Sequence, residues 1–67
     1  MATVSYEAYK RLRDARGITD AFVSRSTKIA PMCFSDWRHG RTQPKADKLY
    51  TIARFFGVPM ERFMEEG

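Results

Sequence analysis

The side chains with reactive chemistry are few in this 67-residue sequence: one histidine, His39, and one cysteine, Cys33. Neither has companions of the kind that chemistry requires. No second cysteine or histidine exists to build a Cys/His metal site. His39 has no carboxylate cluster around it and reads as a surface or phosphate-facing imidazole. Cys33 borders an apolar stripe and reads as an inert, half-buried thiol. A glycine-rich phosphate loop, paired carboxylates facing a cleft and a Ser/Cys–His–Asp set are all missing from the pattern. An enzyme is therefore not expected, nor a cofactor, a metal or a small-molecule ligand.

Positive charge is what the sequence does offer. The net charge is +4 and the isoelectric point near 9.6. Ten basic and four acidic residues lie between Lys10 and Lys48, a local excess of six, while the stretches on either side each carry one net negative charge. A basic excess confined to one part of a chain fits a surface that faces a polyanion. Solvated surface charge is the plainer alternative, and only a motif that locates the charge separates the two.

Length and composition narrow the setting. Residues 1–67 fit a single domain with a small core. A hydrophobic fraction of 43% with nine aromatic residues is that of a globular chain. The longest apolar run, Ile29 to Phe34, has six residues and includes a proline, far short of a membrane span. No leader-like pattern is present, and a small secreted domain normally needs disulfides that one cysteine cannot supply. A reducing, cytoplasmic setting is expected.

The elements that must position the basic residues are short helices. Ser5 suits an N-cap, Glu7 follows in the first turn, and Tyr9, Leu12 and Ala15 or Arg16 recur at helical spacing up to Gly17. Thr19 caps a second helix running to about Thr27. A third runs from Pro31, tolerated at a first helical position, to His39, with Gly40 closing it. Arg41-Thr42-Gln43-Pro44 is a polar connection. Leu49, Ile52, Ala53 and Phe56 form the apolar stripe of a fourth helix ended by Gly57, and a last turn or two carries Phe63. Strand-favouring residues are scattered without alternation, so no sheet is expected. The fold expected is an all-α bundle of four to five short helices.

In the third helix Phe34 and Trp37 are three residues apart and point into the bundle together. Pro31, Met32, Ser35, Asp36 and His39 then fall on the opposite side. A helix buried on one stripe and open on the other can enter a major groove. The helix N-termini at Thr19 and Pro31 offer backbone N–H groups to phosphates.

Gly17-Ile18-Thr19, Val23, Ile29, Phe34-Ser35-Asp36-Trp37, Gly40, Pro44, Leu49, Ile52-Ala53 and Phe56-Gly57-Val58 together resemble the Cro/C1-type helix-turn-helix domain of phage and bacterial repressors, the XRE family. The resemblance covers about residues 6–64 and implies a lambda-repressor-like bundle. It makes residues 19–27 the supporting helix and 31–39 the recognition helix of a double-stranded-DNA-binding transcriptional regulator. Pro31, Met32, Ser35, Asp36 and His39 would then face bases, and Thr19, Arg25, Lys28, Arg38, Arg41, Thr42 and Lys45 would contact phosphates. Three positions depart from the family pattern. Lys28 stands where glycine is usual in the turn, Ala30 where a Ser or Thr cap is usual, and Arg38 where relatives often have a Glu that pairs with the counterpart of Arg13. Asp36 or Asp14 is left to serve Arg13, and Asp36 is expected to be held by Arg13, Arg38 or a neighbouring basic side chain.

Pro31 and Met32 offer no useful hydrogen bond to a base edge, only apolar contact with thymine methyl groups. The alternative function is therefore a protein-interaction module, antitoxin-like or an accessory subunit, that keeps this fold with weak DNA binding. Family members commonly act as dimers, and Phe55, Val58, Pro59, Met60, Phe63 and Met64 exceed what one side of a short helix buries. A homodimer through Phe55, Val58, Pro59, Met60 and Met64 is expected. Phe22 falls on the outer side of the supporting helix, where it either covers the first helix or meets a partner.

Overall fold

Ser5 starts the first helix, α1 (Tyr6–Ala15), its hydroxyl accepting the Ala8 N–H at 3.2 Å. The computed structural model describes residues 2–66, with side chains from residue 4 to residue 64. Thr19 starts α2 (Asp20–Thr27) in the same way, accepting from Phe22 N–H at 3.2 Å. The third helix, α3 (Pro31–Arg38), has Ala30 at its N-cap with no side-chain hydrogen bond. Such a cap forgoes about 1 kcal/mol, and Pro31 at the first helical position avoids adding an orphan N–H. The fourth helix, α4 (Ala46–Phe56), ends at Gly57 with φ +71°, a left-handed residue that glycine adopts without steric cost. A single 3₁₀ turn, Met60–Phe63, follows.

The fold is all-α, as its helical spacing leads one to expect, with one local addition. Ala2–Val4 (β1) pairs antiparallel with Met64–Glu66 (β2), Val4 opposite Met64 and Ala2 opposite Glu66. Three residues are too few to show alternation, which is why the sequence pattern gives no sign of them. Long-range bonds set this pairing. Ser5 N–H donates to the Phe63 carbonyl at 2.6 Å, Trp37 Nε1–H to the Val4 carbonyl at 3.0 Å, and Val4 N–H to Gln43 Oε1 at 3.2 Å.

One core gathers every helix. Tyr9 of α1, Val23 of α2, Phe34 and Trp37 of α3, and Leu49, Ile52, Ala53 and Phe56 of α4 are all buried, together with Ile29 and Phe63. The four-residue stripe read in α4 and the Phe34–Trp37 pair read in α3 thus point inward. Tyr9 is the hub of the aromatic packing, with ring centroids 5.1 Å from Trp37, 5.5 Å from Phe34 and 5.9 Å from Phe56. Among the described residues, no helix is long and apolar enough to cross a membrane.

The connection between α2 and α3 is residues 28–30. Lys28 takes up φ +62°, the left-handed conformation that its missing glycine would supply freely, at a cost of about 1 kcal/mol. Ser24, buried in α2, donates its hydroxyl to the Ile29 carbonyl at 2.5 Å, and buried Ile29 holds the turn from the apolar side. A strained residue is thus fixed by packing on one flank and a buried hydrogen bond on the other.

Candidate nucleic-acid interface

The open face of α3 is the centre of the candidate site. Because Phe34 and Trp37 are buried, the opposite side of the helix presents Pro31, Met32, Ser35, Asp36 and His39. Met32 is 66% exposed. Ser35 and Asp36 are half-buried, and His39 is exposed. His39 Nδ1 lies 2.9 Å from the Ser35 carbonyl, so this nitrogen carries a proton and donates it along the helix.

Basic side chains stand on two sides of this face. Arg38 shares a polar cleft with Thr19, Asp20 and Asp14, which puts the end of α3 beside the start of α2. On another side, Thr42, Lys45 and Lys48 line a cleft with half-buried Cys33, bringing the start of α4 alongside α3. Arg25, Lys28, Arg38, Arg41, Thr42, Lys45 and Thr19 are all exposed. The structure therefore brings Arg38 and Thr19 together at one edge and Thr42 and Lys45 at another, and Arg25 and Lys28 line neither cleft. The Thr19 hydroxyl oxygen is occupied as the α2 cap but keeps its proton for an outside acceptor.

Both charged pairings fall among the expected alternatives, and Asp20 joins them as a partner the sequence does not suggest. Asp36 is held by Arg41, whose Nη1 is 3.2 Å from Oδ1, and not by Arg13 or Arg38. Arg41 N–H also donates to the Asp36 carbonyl at 2.8 Å, and this main-chain bond after Gly40 folds residue 41 back onto the helix end. Arg13 pairs with Asp14, one of its two expected partners, at 2.9 Å, and also with Asp20, at 2.7 Å. Asp20 stands in the first turn of α2, where a carboxylate favours the helix dipole. In space its carboxylate also accepts the Tyr9 hydroxyl at 2.7 Å and the Tyr6 hydroxyl at 3.0 Å. Burial acts to raise the Asp20 carboxyl, but hydrogen bonds from Arg13, Tyr9 and Tyr6 outweigh it and hold its pKa below the ordinary aspartate value. Burial, then Asp20, pushes both tyrosine hydroxyls up, Tyr9 far above the usual range. The network locks α1 against the start of α2, the end from which Thr19 and Arg38 face outward.

The segment expected to form a dimer is divided. Phe63 is fully buried, so part of the apparent apolar excess is spent inside the bundle. Phe55 packs on Phe56 and Phe22, with ring centroids 5.0 and 6.3 Å away. Phe22 is 48% exposed, with its ring beside Phe55 of α4. Val58, Pro59, Met60 and Met64 line an apolar groove of about 380 Å³, which Tyr50 and Ala53 complete. Arg54 and Glu61 place one charge of each sign at the same groove.

Among the described residues, no group of three or more His, Cys, Asp or Glu side chains is placed to hold a metal ion. No family model, no curated protein and no solved structure matches this chain.

Proposed function

We propose that this chain is a Cro/C1-type DNA-binding domain, a cytoplasmic transcriptional regulator that lays α3 in the major groove of double-stranded DNA. The observation that carries this reading is the two-sidedness of α3. Phe34 and Trp37 anchor it, its other face is open at Pro31, Met32 and His39, and exposed Arg38 at its end is followed in the chain by exposed Arg41, Lys45 and Lys48. Basic residues at the margins of a helix supply affinity through phosphates, while the helix face supplies preference among sequences. Pro31 and Met32 favour apolar contact with thymine methyls, and Ser35 accepts or donates, so base reading by this face is permissive. Exposed Met32 also favours the second reading, a protein-interaction module with the same fold.

Lys45→Ala tests the choice. Each phosphate neutralised contributes roughly 0.9 to the slope of log affinity against log salt. The variant should weaken binding to every duplex by a similar factor and flatten that slope by about 0.9 in fluorescence-polarisation titrations. Met32→Ala should instead reorder the preferred sequences and leave the slope in place. An unchanged affinity and slope for Lys45→Ala would remove the electrostatic basis of DNA binding and favour the interaction module.

The groove beside the 3₁₀ turn supports a homodimer. Val58, Pro59, Met60 and Met64 leave apolar surface uncovered, and Arg54 and Glu61 can pair across a two-fold axis because each copy supplies both charges. Sedimentation should show a concentration-dependent monomer–dimer equilibrium that duplex DNA shifts toward the dimer. Monomer alone at high micromolar concentration, with and without DNA, would sink the dimer.

A further inference from the structure

We propose that Asp36 is a specificity-determining residue that lowers affinity for DNA in general by restraining Arg41. The inference rests on the DNA-binding reading of α3. The open face of that helix carries no lysine or arginine of its own, and its one carboxylate belongs to Asp36. Asp36 is 25% exposed and holds Arg41, itself 64% exposed, at 3.2 Å, while the Arg41 N–H is tied to the Asp36 carbonyl at 2.8 Å. Main chain and side chain therefore both bend Arg41 toward α3.

To a polyanion this pair is nearly neutral. A free arginine forks onto a phosphate with two of its five N–H donors, but one engaged by a carboxylate has fewer to give and brings a negative charge with it. Binding to arbitrary duplex depends on cations meeting phosphates, so the pair removes about one effective contact from that binding. A sequence that places a cytosine amino group against Asp36 gives the carboxylate a donor and offsets the loss. The pair thus penalises most sequences and spares a few, which is how an unfavourable charge produces preference.

The test uses a random-sequence duplex pool, polarisation titrations across a salt series, and the parent chain beside D36N, D36S, R41A and the D36N/R41A double variant. Circular dichroism checks the fold of each. D36N and D36S should bind the pool about five- to tenfold more tightly than the parent, with a slope against log salt steeper by about 0.9. The gain should vanish in the R41A background, because no cation is left to release. Equal or weaker binding by both charge-removing variants, with the parent binding normally, overturns the proposal and leaves the DNA-binding reading intact. A gain that survives in the R41A background shows direct repulsion of phosphate by Asp36 and overturns the restraint of Arg41. Failure of parent and variants alike to bind the pool at the lowest salt overturns the DNA-binding reading and this proposal with it.

Discussion

Trp37→Ala should leave the chain largely unfolded at room temperature. The indole is 4% exposed, packs at 5.1 Å from the Tyr9 ring and at 5.5 Å, edge-on, from the Tyr6 ring. Truncating a buried Trp costs about 3 to 5 kcal/mol, and a domain of this size has a total stability of about the same amount. The loss is not confined to packing. Trp37 Nε1–H is the donor to the Val4 carbonyl, so its removal also frees the strand that closes the chain ends together. Trp37→Phe separates the two contributions, keeping most of the ring volume and losing the hydrogen bond, at an expected cost of about 1 kcal/mol beyond the lost volume. Far-UV circular dichroism at 25 °C and a thermal melt read both variants. A cooperative transition for Trp37→Ala close to the parent's would place Trp37 on the surface and invert the register of α3.

That register was legible because α3 and α4 each declare a stripe. Phe34 with Trp37, and Leu49 with Ile52, Ala53 and Phe56, repeat at helical spacing and are buried together. Caps were legible for the same local reason: Ser5 and Thr19 sit one residue before their helices and bond the N–H three residues on. What the sequence hid was which particular groups pair with one another. The β1–β2 pairing joins residues sixty or more positions apart through strands of three residues, with nothing periodic to detect. Ser24 gave no hint of its bond to the Ile29 carbonyl, since a serine mid-helix reads as exposed.

The candidate site was legible to the extent that one helix defines it. The face of Pro31, Met32, Ser35, Asp36 and His39 follows from the buried stripe alone. Partner choice among its charges did not follow, because three arginines and three aspartates near the α1–α2–α3 junction permit several pairings. Backbone geometry decided between them. The left-handed turn at Gly40 carries Arg41 back to Asp36, and the α1–α2 corner brings Asp20 to Arg13. Phe22 was ambiguous for a similar reason: the ring beside it, Phe55 of α4, is remote in sequence.

Asp20→Ala should cost about 2 to 3 kcal/mol at neutral pH, although the residue stands at a helix start and contributes nothing to the apolar core. Its carboxylate, 27% exposed, is the common acceptor for Arg13, Tyr9 and Tyr6, and the Arg13 side chain is only 14% exposed. Removing the acceptor leaves a guanidinium and a fully buried tyrosine with unsatisfied donors; Asp14, 52% exposed, keeps only part of the Arg13 charge partnered. The melting temperature should fall by about 10 to 20 °C for a domain of this length. The pH dependence identifies the network. The Asp20 pKa is lower folded than unfolded, so its contribution is complete above about pH 4 and is lost as pH falls through the folded value. Arg13 stays charged and both tyrosines stay protonated throughout that window; the Asp14 carboxyl, also lowered by Arg13, titrates there too but is common to parent and D20N, so their difference reports Asp20. D20N, which keeps the shape and one acceptor, should therefore differ most from the parent at pH 7 and converge on it as the pH is lowered toward the acid limit. Urea unfolding of parent and D20N along a pH series measures that difference directly. A gap that stays constant down to the lowest pH would mean that the Asp20 charge does not hold α1 to α2, and that the loss in Asp20→Ala comes from the α2 start alone.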